Sequence, residues 1–313
     1  MAARDRWAWK PVVEGHWWTV ASAVAARLRP VPIPQSSSWS TWVDDPRLGP
    51  VRLHGRLHEG GASTLLLVVH GLGGEPDSPY CRRITPLAEQ RGWACLRLAL
   101  RGSSGDGEDL YHAGLGSDLT HALADPTLQR YDRVLVLGFS LGGHLALRMG
   151  LAPDPRVVGI AAISSPLDLA LGCRAIDRRS AWLYRRHVLS GLKRGYRRTA
   201  ARRALASAVD EVVRVRTLRE WDRLAVVPRF GFGDVEAYHR SQSVGPRLGE
   251  LKVPGLYVGM RHDPMVPRWT VEPSLSTDLR SLDVRWLDGG HVAAPGSWEG
   301  EVLAWLDRQR PYR

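Results

Sequence analysis

The sequence predicts an α/β fold: a mostly parallel sheet with helices on both faces and an inserted helical cap. Three observations carry this. From Thr64 onward, strand, loop and helix patterns alternate, the rhythm that builds a parallel sheet covered on both sides. The rhythm breaks at Ser165-Pro166 and resumes at Val253, and the stretch between is arginine-rich, helical in pattern and without a convincing buried strand. Within the alternation, Arg133 to Gly150 passes from strand to helix through five residues only, Gly138-Phe139-Ser140-Leu141-Gly142.

In chain order, the first 35 residues read as an arm packed on the body. They are rich in tryptophan (Trp7, Trp9, Trp17, Trp18), turn helical from Val20 to Leu28, and are stopped by Arg29-Pro30-Val31-Pro32-Ile33-Pro34. Trp39 to Val43 and Pro50 to Leu57 alternate as strands of an antiparallel edge hairpin. Thr64 to Val69 is a buried strand, Tyr80 to Arg91 a helix, Trp93 to Leu100 a strand, Leu119 to Ala124 a helix. After the Ser140 unit come the strand Val157 to Ser164, the helical insertion 167–245, strands near Val253–Val258 and Leu282–Leu287, and a helix from Trp298 to Arg308. The core is thus expected from 36–166 and 246–313.

At 313 residues, with 44% hydrophobic and 24% charged residues, the chain has the make-up of a globular protein with a substantial core. Cys81, Cys95 and Cys173 match neither a metal spacing nor a disulfide framework, which points to a reducing cytoplasm. No run approaches the roughly 18 apolar residues of a membrane span, and the charged N-terminus does not read as a secretory signal. No metal or cofactor is expected, because the histidines show no paired spacing and Gly71-Leu72-Gly73-Gly74 lacks the lysine of a phosphate loop.

The net charge of +11 is concentrated. Between Gly172 and Arg229 stand 16 Arg or Lys against 5 Asp or Glu, and the remainder of the chain is balanced at 27 against 27. Such a segment suits acidic substrates or weak contact with an anionic membrane surface; it also suits a solvated face on which arginine stems cover apolar surface. Nucleic acid is disfavoured as a partner, because no recognisable module is present and few aromatics interleave with the arginines.

The Ser140 unit has the context of a nucleophile elbow. A turn this tight strains its middle residue, needs small flanks, and leaves the serine at a helix N-terminus where unpaired N–H groups favour negative charge. An ordinary strand-to-helix turn with a solvated serine is the alternative. Acyl transfer also needs a base, an orienting acid and oxyanion donors. His291 follows the last strand through Asp288-Gly289-Gly290 and is the candidate base. Asp263, after the preceding strand, is the candidate acid; Asp288 is its rival but suits a turn residue. The N–H groups of Leu141 and Leu72 are the candidate oxyanion donors, and His70 reads as structural.

These motifs resemble the α/β-hydrolases, and specifically their YheT-like branch. The resemblance rests on His70-Gly71-Leu72-Gly73-Gly74 with Ser78-Pro79-Tyr80, Leu100-Arg101-Gly102-Ser103-Ser104-Gly105, Tyr111-His112-Ala113-Gly114 and Gly138-Phe139-Ser140-Leu141-Gly142-Gly143. Arg219-Glu220-Trp221-Asp222, Tyr238-His239-Arg240, His262-Asp263-Pro264-Met265 and Gly290-His291-Val292 complete it. It implies an α/β-hydrolase fold with a helical cap and hydrolysis of short- or medium-chain carboxylic esters, a small-molecule acyl ester being the substrate. Acyl transfer to alcohols and lipase action on acylglycerols or phospholipids are the alternatives it leaves open. The chain departs from the branch at Gly15-His16-Trp17-Trp18-Thr19, where an Asn-Pro-His-Leu-Gln-Thr pattern is usual, and at Ala293-Ala294, where glycine and an aromatic are usual. A binding protein that keeps the fold without the chemistry is disfavoured, since every catalytic position holds a competent residue.

Overall fold

The apolar runs pair into a single sheet of eight strands in a computed structural model that describes residues 14–21, 28, 31–103, 109–276 and 279–310. The strands are β1 (Ser37–Asp45), β2 (Gly49–His58), β3 (Thr64–Val69), β4 (Ala94–Ala99), β5 (Arg133–Phe139), β6 (Val157–Ile163), β7 (Gly255–Met260) and β8 (Leu282–Leu287). Their order across the sheet is β1-β2-β4-β3-β5-β6-β7-β8. β1 and β2 form the expected antiparallel hairpin and β2 runs antiparallel to β4, while all later pairings are parallel. The six parallel strands therefore deliver the loops that follow them to one edge.

Side chains alternate along each strand, so each strand feeds two cores. Leu65, Leu67, Val134 and Val136 face Leu119, Leu145 and the inserted segment on one side. Leu66, Val68, Leu135 and Leu137 face Ile84, Ala88, Leu303 and Leu306 on the other. Burial on both faces is what the unbroken run Leu65-Leu66-Leu67-Val68-Val69 requires.

The covering helices are α1 (residues 14–21), α2 (Pro79–Glu89), α3 (Ser117–Leu123), α4 (Leu141–Met149) and the C-terminal α12 (Trp298–Asp307). The arm helix expected at 20–28 starts earlier than that pattern suggests, and most of its expected length lies outside the described residues. So do Ser104 and Gly105. Helix α2 stops two residues short of Arg91, and the chain turns at Gly92 in a left-handed conformation (φ +72°).

Between β6 and β7 the backbone forms no strand. It runs through α5 (Leu169–Ile176), α6 (Trp182–Ala200), α7 (Val209–Arg214), α8 (Leu218–Trp221), a π-helical stretch Asp222–Val226, α9 (Val227–Phe230) and α10 (Val235–Gln242); the short α11 (Glu272–Leu275) follows β7. Two of its arginines are tied to the core: Arg203 and Arg229 both pair with Asp109, whose side chain is wholly buried. Part of the basic excess thus neutralises an acid lying outside the segment.

Candidate active site

Ser140 sits between the end of β5 and the first residue of α4, with φ 51° and ψ −120°. A non-glycine residue held there costs ~1–3 kcal/mol, strain that persists only when the surroundings impose it. Neighbouring backbone does so. A Cβ on Gly142 would lie 2.3 Å from the Val69 carbonyl oxygen, and one on Gly138 would lie 2.3 Å from that of Gly142. The Ser140 N–H donates to Ile163 O at 2.7 Å, which ties the turn to β6.

The loops after β7 and β8 are joined by backbone bonds from Arg261 N to Leu287 O (2.9 Å) and from His262 N to Gly289 O (3.2 Å). This places Asp263 beside His291. Asp263 Oδ2 lies 2.8 Å from His291 Nδ1, and its Oδ1 accepts the N–H groups of Met265 (2.8 Å) and Val266 (2.9 Å). Both side chains are buried. With both oxygens engaged, the carboxylate is fixed in position and keeps the imidazole proton on Nδ1, leaving Nε2 as an acceptor. Asp288 points elsewhere: its side chain is 76% exposed and pairs with Arg261. Val292, next to His291, has φ 50°, unusual for a β-branched residue, and its N–H donates to Ser164 Oγ at 3.3 Å.

Ser140, His291, Leu72 and Leu141 all line one cavity of about 710 Å³. Among the described residues no hydrogen bond joins Ser140 to His291; such bonds are often long before substrate binds. The Gly71 and Gly73 N–H groups are taken by the hydroxyls of Tyr80 (3.1 Å) and Tyr111 (2.8 Å). Leu72 N–H, between them, has no acceptor among the described residues. Leu141 is the first residue of α4, so its N–H has no partner within the helix.

His70 is structural, as its position suggests. Its Nδ1–H donates to Gly71 O at 2.8 Å, while Nε2 accepts from Leu100 N (3.1 Å) and Ser103 Oγ (3.0 Å). Burial lowers its pKa to about 4, so the ring is neutral.

The arm reaches the site in a way that sequence reasoning missed. Thr19 Oγ1 accepts the backbone N–H of His291 at 2.8 Å and donates to Gly15 O at 2.8 Å. Gly15 abuts the loop that carries Asp263 so closely that a Cβ there would lie 1.7 Å from His262 O. His16 Nδ1 lies 2.6 Å from Tyr184 Oη on α6, with the rings stacked. His16 and Thr19 coincide with the histidine and threonine of the Asn-Pro-His-Leu-Gln-Thr pattern, and that match was the signal available for this bridge.

Comparison with known proteins agrees with the architecture. The sequence model of the alpha/beta hydrolase family matches residues 66–304. The chain belongs to this family. It is YheT-like within it, being 27% identical over 256 residues to the nominal esterase YheT of Escherichia coli (strain K12), which covers 79% of this chain and 75% of that one. A monoacylglycerol lipase of Saccharomyces cerevisiae is 24% identical over 76% of this chain, which spans 56% of the yeast protein. The structure of the Pyrococcus furiosus esterase Pf2001 superposes with a TM-score of 0.59 at 19% identity, covering 88% of this chain and 93% of that one, a likeness of fold. Esterase- and lipase-type relatives of this kind make the α/β-hydrolase chain a hydrolase-family enzyme. Among the described residues no helix is long and apolar enough to cross a membrane.

Proposed function

We propose that the protein cleaves carboxylic esters of short- to medium-chain acids through an acyl-enzyme on Ser140. The observation that carries this reading is the Asp263–His291 hydrogen bond opening on the cavity that also holds the strained Ser140. His291 Nε2 takes the Ser140 proton as Oγ attacks the ester carbonyl, Asp263 steadies the imidazolium, and the N–H groups of Leu72 and Leu141 receive the oxyanion. His291 then returns the proton to the leaving alcohol and activates the water that releases the acid.

The helical insertion acts as a cap. Leu169, Ile176, Tyr184 and Val188 from it line the same cavity, offering apolar surface to an acyl chain. The yeast relative's activity makes acylglycerols worth including among the substrates tested, and an alcohol in place of water would give acyl transfer at the same serine.

The test is a rate profile over p-nitrophenyl esters of increasing chain length, beside Ser140→Ala. We expect kcat/KM to peak at short or medium length and to fall by at least ~10³ in the variant. Equal rates in both proteins would end this reading.

A further inference from the structure

The wall of the cavity formed by the cap carries a second group of reactive side chains that the ester chemistry does not use. Cys173 on α5, Asp222 at the start of the π-helical stretch and His239 on α10 bring a sulfur, a carboxylate oxygen and a ring nitrogen within 4.8 Å of one another. All three line the cavity. His239 Nε2 lies 2.8 Å from Asp222 Oδ2, with side-chain exposures of 5% and 15%, and Cys173 is half-buried. The elements carrying them are pinned. Asp177 accepts the N–H groups of Leu218 and Arg219 at 2.8 and 3.1 Å, and Thr217 with Glu220 forms a capping box ahead of Asp222. π-helical turns occur frequently at functional sites.

We propose that Cys173, Asp222 and His239 bind a divalent ion of the zinc class, with its fourth position open to the cavity. The donor set is the first argument. Thiolate, imidazole and carboxylate together suit zinc, whereas calcium and magnesium take oxygen. Geometry is the second. Tetrahedral ligands about 2.0–2.3 Å from zinc stand ~3.3–3.8 Å apart, so His239 and Asp222, now 2.8 Å apart, separate slightly, and Cys173 closes in by at most about 1.5 Å. On binding, the Cys173 thiol proton leaves to solvent, and His239 coordinates through Nε2 with its proton on Nδ1.

The test uses the full-length untagged protein, stripped with a chelator and titrated with Co²⁺ as a spectroscopic stand-in for Zn²⁺. We expect one Co²⁺ per chain, a thiolate-to-metal charge-transfer band in the near ultraviolet, and loss of that band on adding Zn²⁺. Cys173→Ser should abolish the band and His239→Gln should weaken binding by ~100-fold, with Ser140→Ala binding as the wild type does. Absence of the charge-transfer band in the wild-type protein overturns the proposal whatever the variants do, as does a band that survives in folded Cys173→Ser. Because the readout is metal binding, the result is independent of whether Ser140 is the nucleophile.

Discussion

Asp263 and His291, 28 positions apart in sequence, meet at 2.8 Å, and the second oxygen of Asp263 is held by two backbone N–H groups of its own loop. The carboxylate therefore cannot rotate away without leaving donors unpaired.

Asp263→Asn should keep the fold and lower kcat by ~10³–10⁴, because an amide can donate to Nδ1 and so stabilises the wrong imidazole tautomer. Asp288→Asn, which alters an exposed pair with Arg261, should stay within about twofold of the wild type. Steady-state kinetics on both, beside circular dichroism, checks the assignment; a larger loss in Asp288→Asn would move the acid role to that residue.

Thr19 is expected to act as a positioning residue. Thr19→Val removes the acceptor for the His291 N–H and should lower kcat by roughly tenfold with little change in KM, the signature of a lost transition-state geometry. Thr19→Ser should restore most of the rate. A valine variant as active as the serine one would reduce the contact to packing.

Three buried neutral histidines, His70, His112 and His144, set the response to acid. The pKa of His70 is lowered to about 4 and that of His112 to about 3, chiefly by burial, from the ordinary 6.5. Folded values below unfolded ones mean that the unfolded chain takes up protons the native state refuses. Their contribution is full above pH 6.5 and is lost as pH falls toward 4 and 3. His144 behaves likewise: burial lowers its pKa to about 4, against the carbonyls of Pro166 and Gln242, 2.8 and 2.9 Å from its two nitrogens, which favour the charged ring. Denaturant titrations at pH 6 and 5 should show stability falling by ~3–4 kcal/mol per pH unit; a flat profile would mean that these rings are charged in the native state.

The basic insertion is expected to associate weakly with anionic liposomes at low salt. Trp182 and Leu183 are exposed on α6 with the exposed Arg186 one turn on, and the exposed Arg194 and Arg198 follow further along the helix, a mixture of apolar and cationic groups suited to a lipid surface. Surface charge is screened over ~8 Å at physiological ionic strength, so sedimentation with anionic vesicles should fall as salt rises while neutral vesicles bind little at any salt. Equal, weak binding to both at low salt would make the arginines a solvated face only.

The fold and the three candidate catalytic side chains were legible because each rests on a local pattern. Ser140 lies in a strand-turn-helix, and Asp263 and His291 each follow a strand, so parallel pairing alone carries them to one edge. What the sequence did not disclose depends on distant encounters. Thr19 meets His291 across 272 positions, and Asp109 meets Arg203 and Arg229 across 94 and 120. Cys173, Asp222 and His239 follow no ligand spacing because the insertion folds back on itself through the π-helical stretch to bring them together.

The most direct test of the central claim is covalent labelling with a fluorophosphonate, with the adduct mapped by mass spectrometry in the wild type and in Ser140→Ala. The account predicts a single adduct on Ser140, and an unlabelled alanine variant with wild-type circular dichroism. An adduct on another residue of the cavity, or undiminished labelling of the variant, would contradict it.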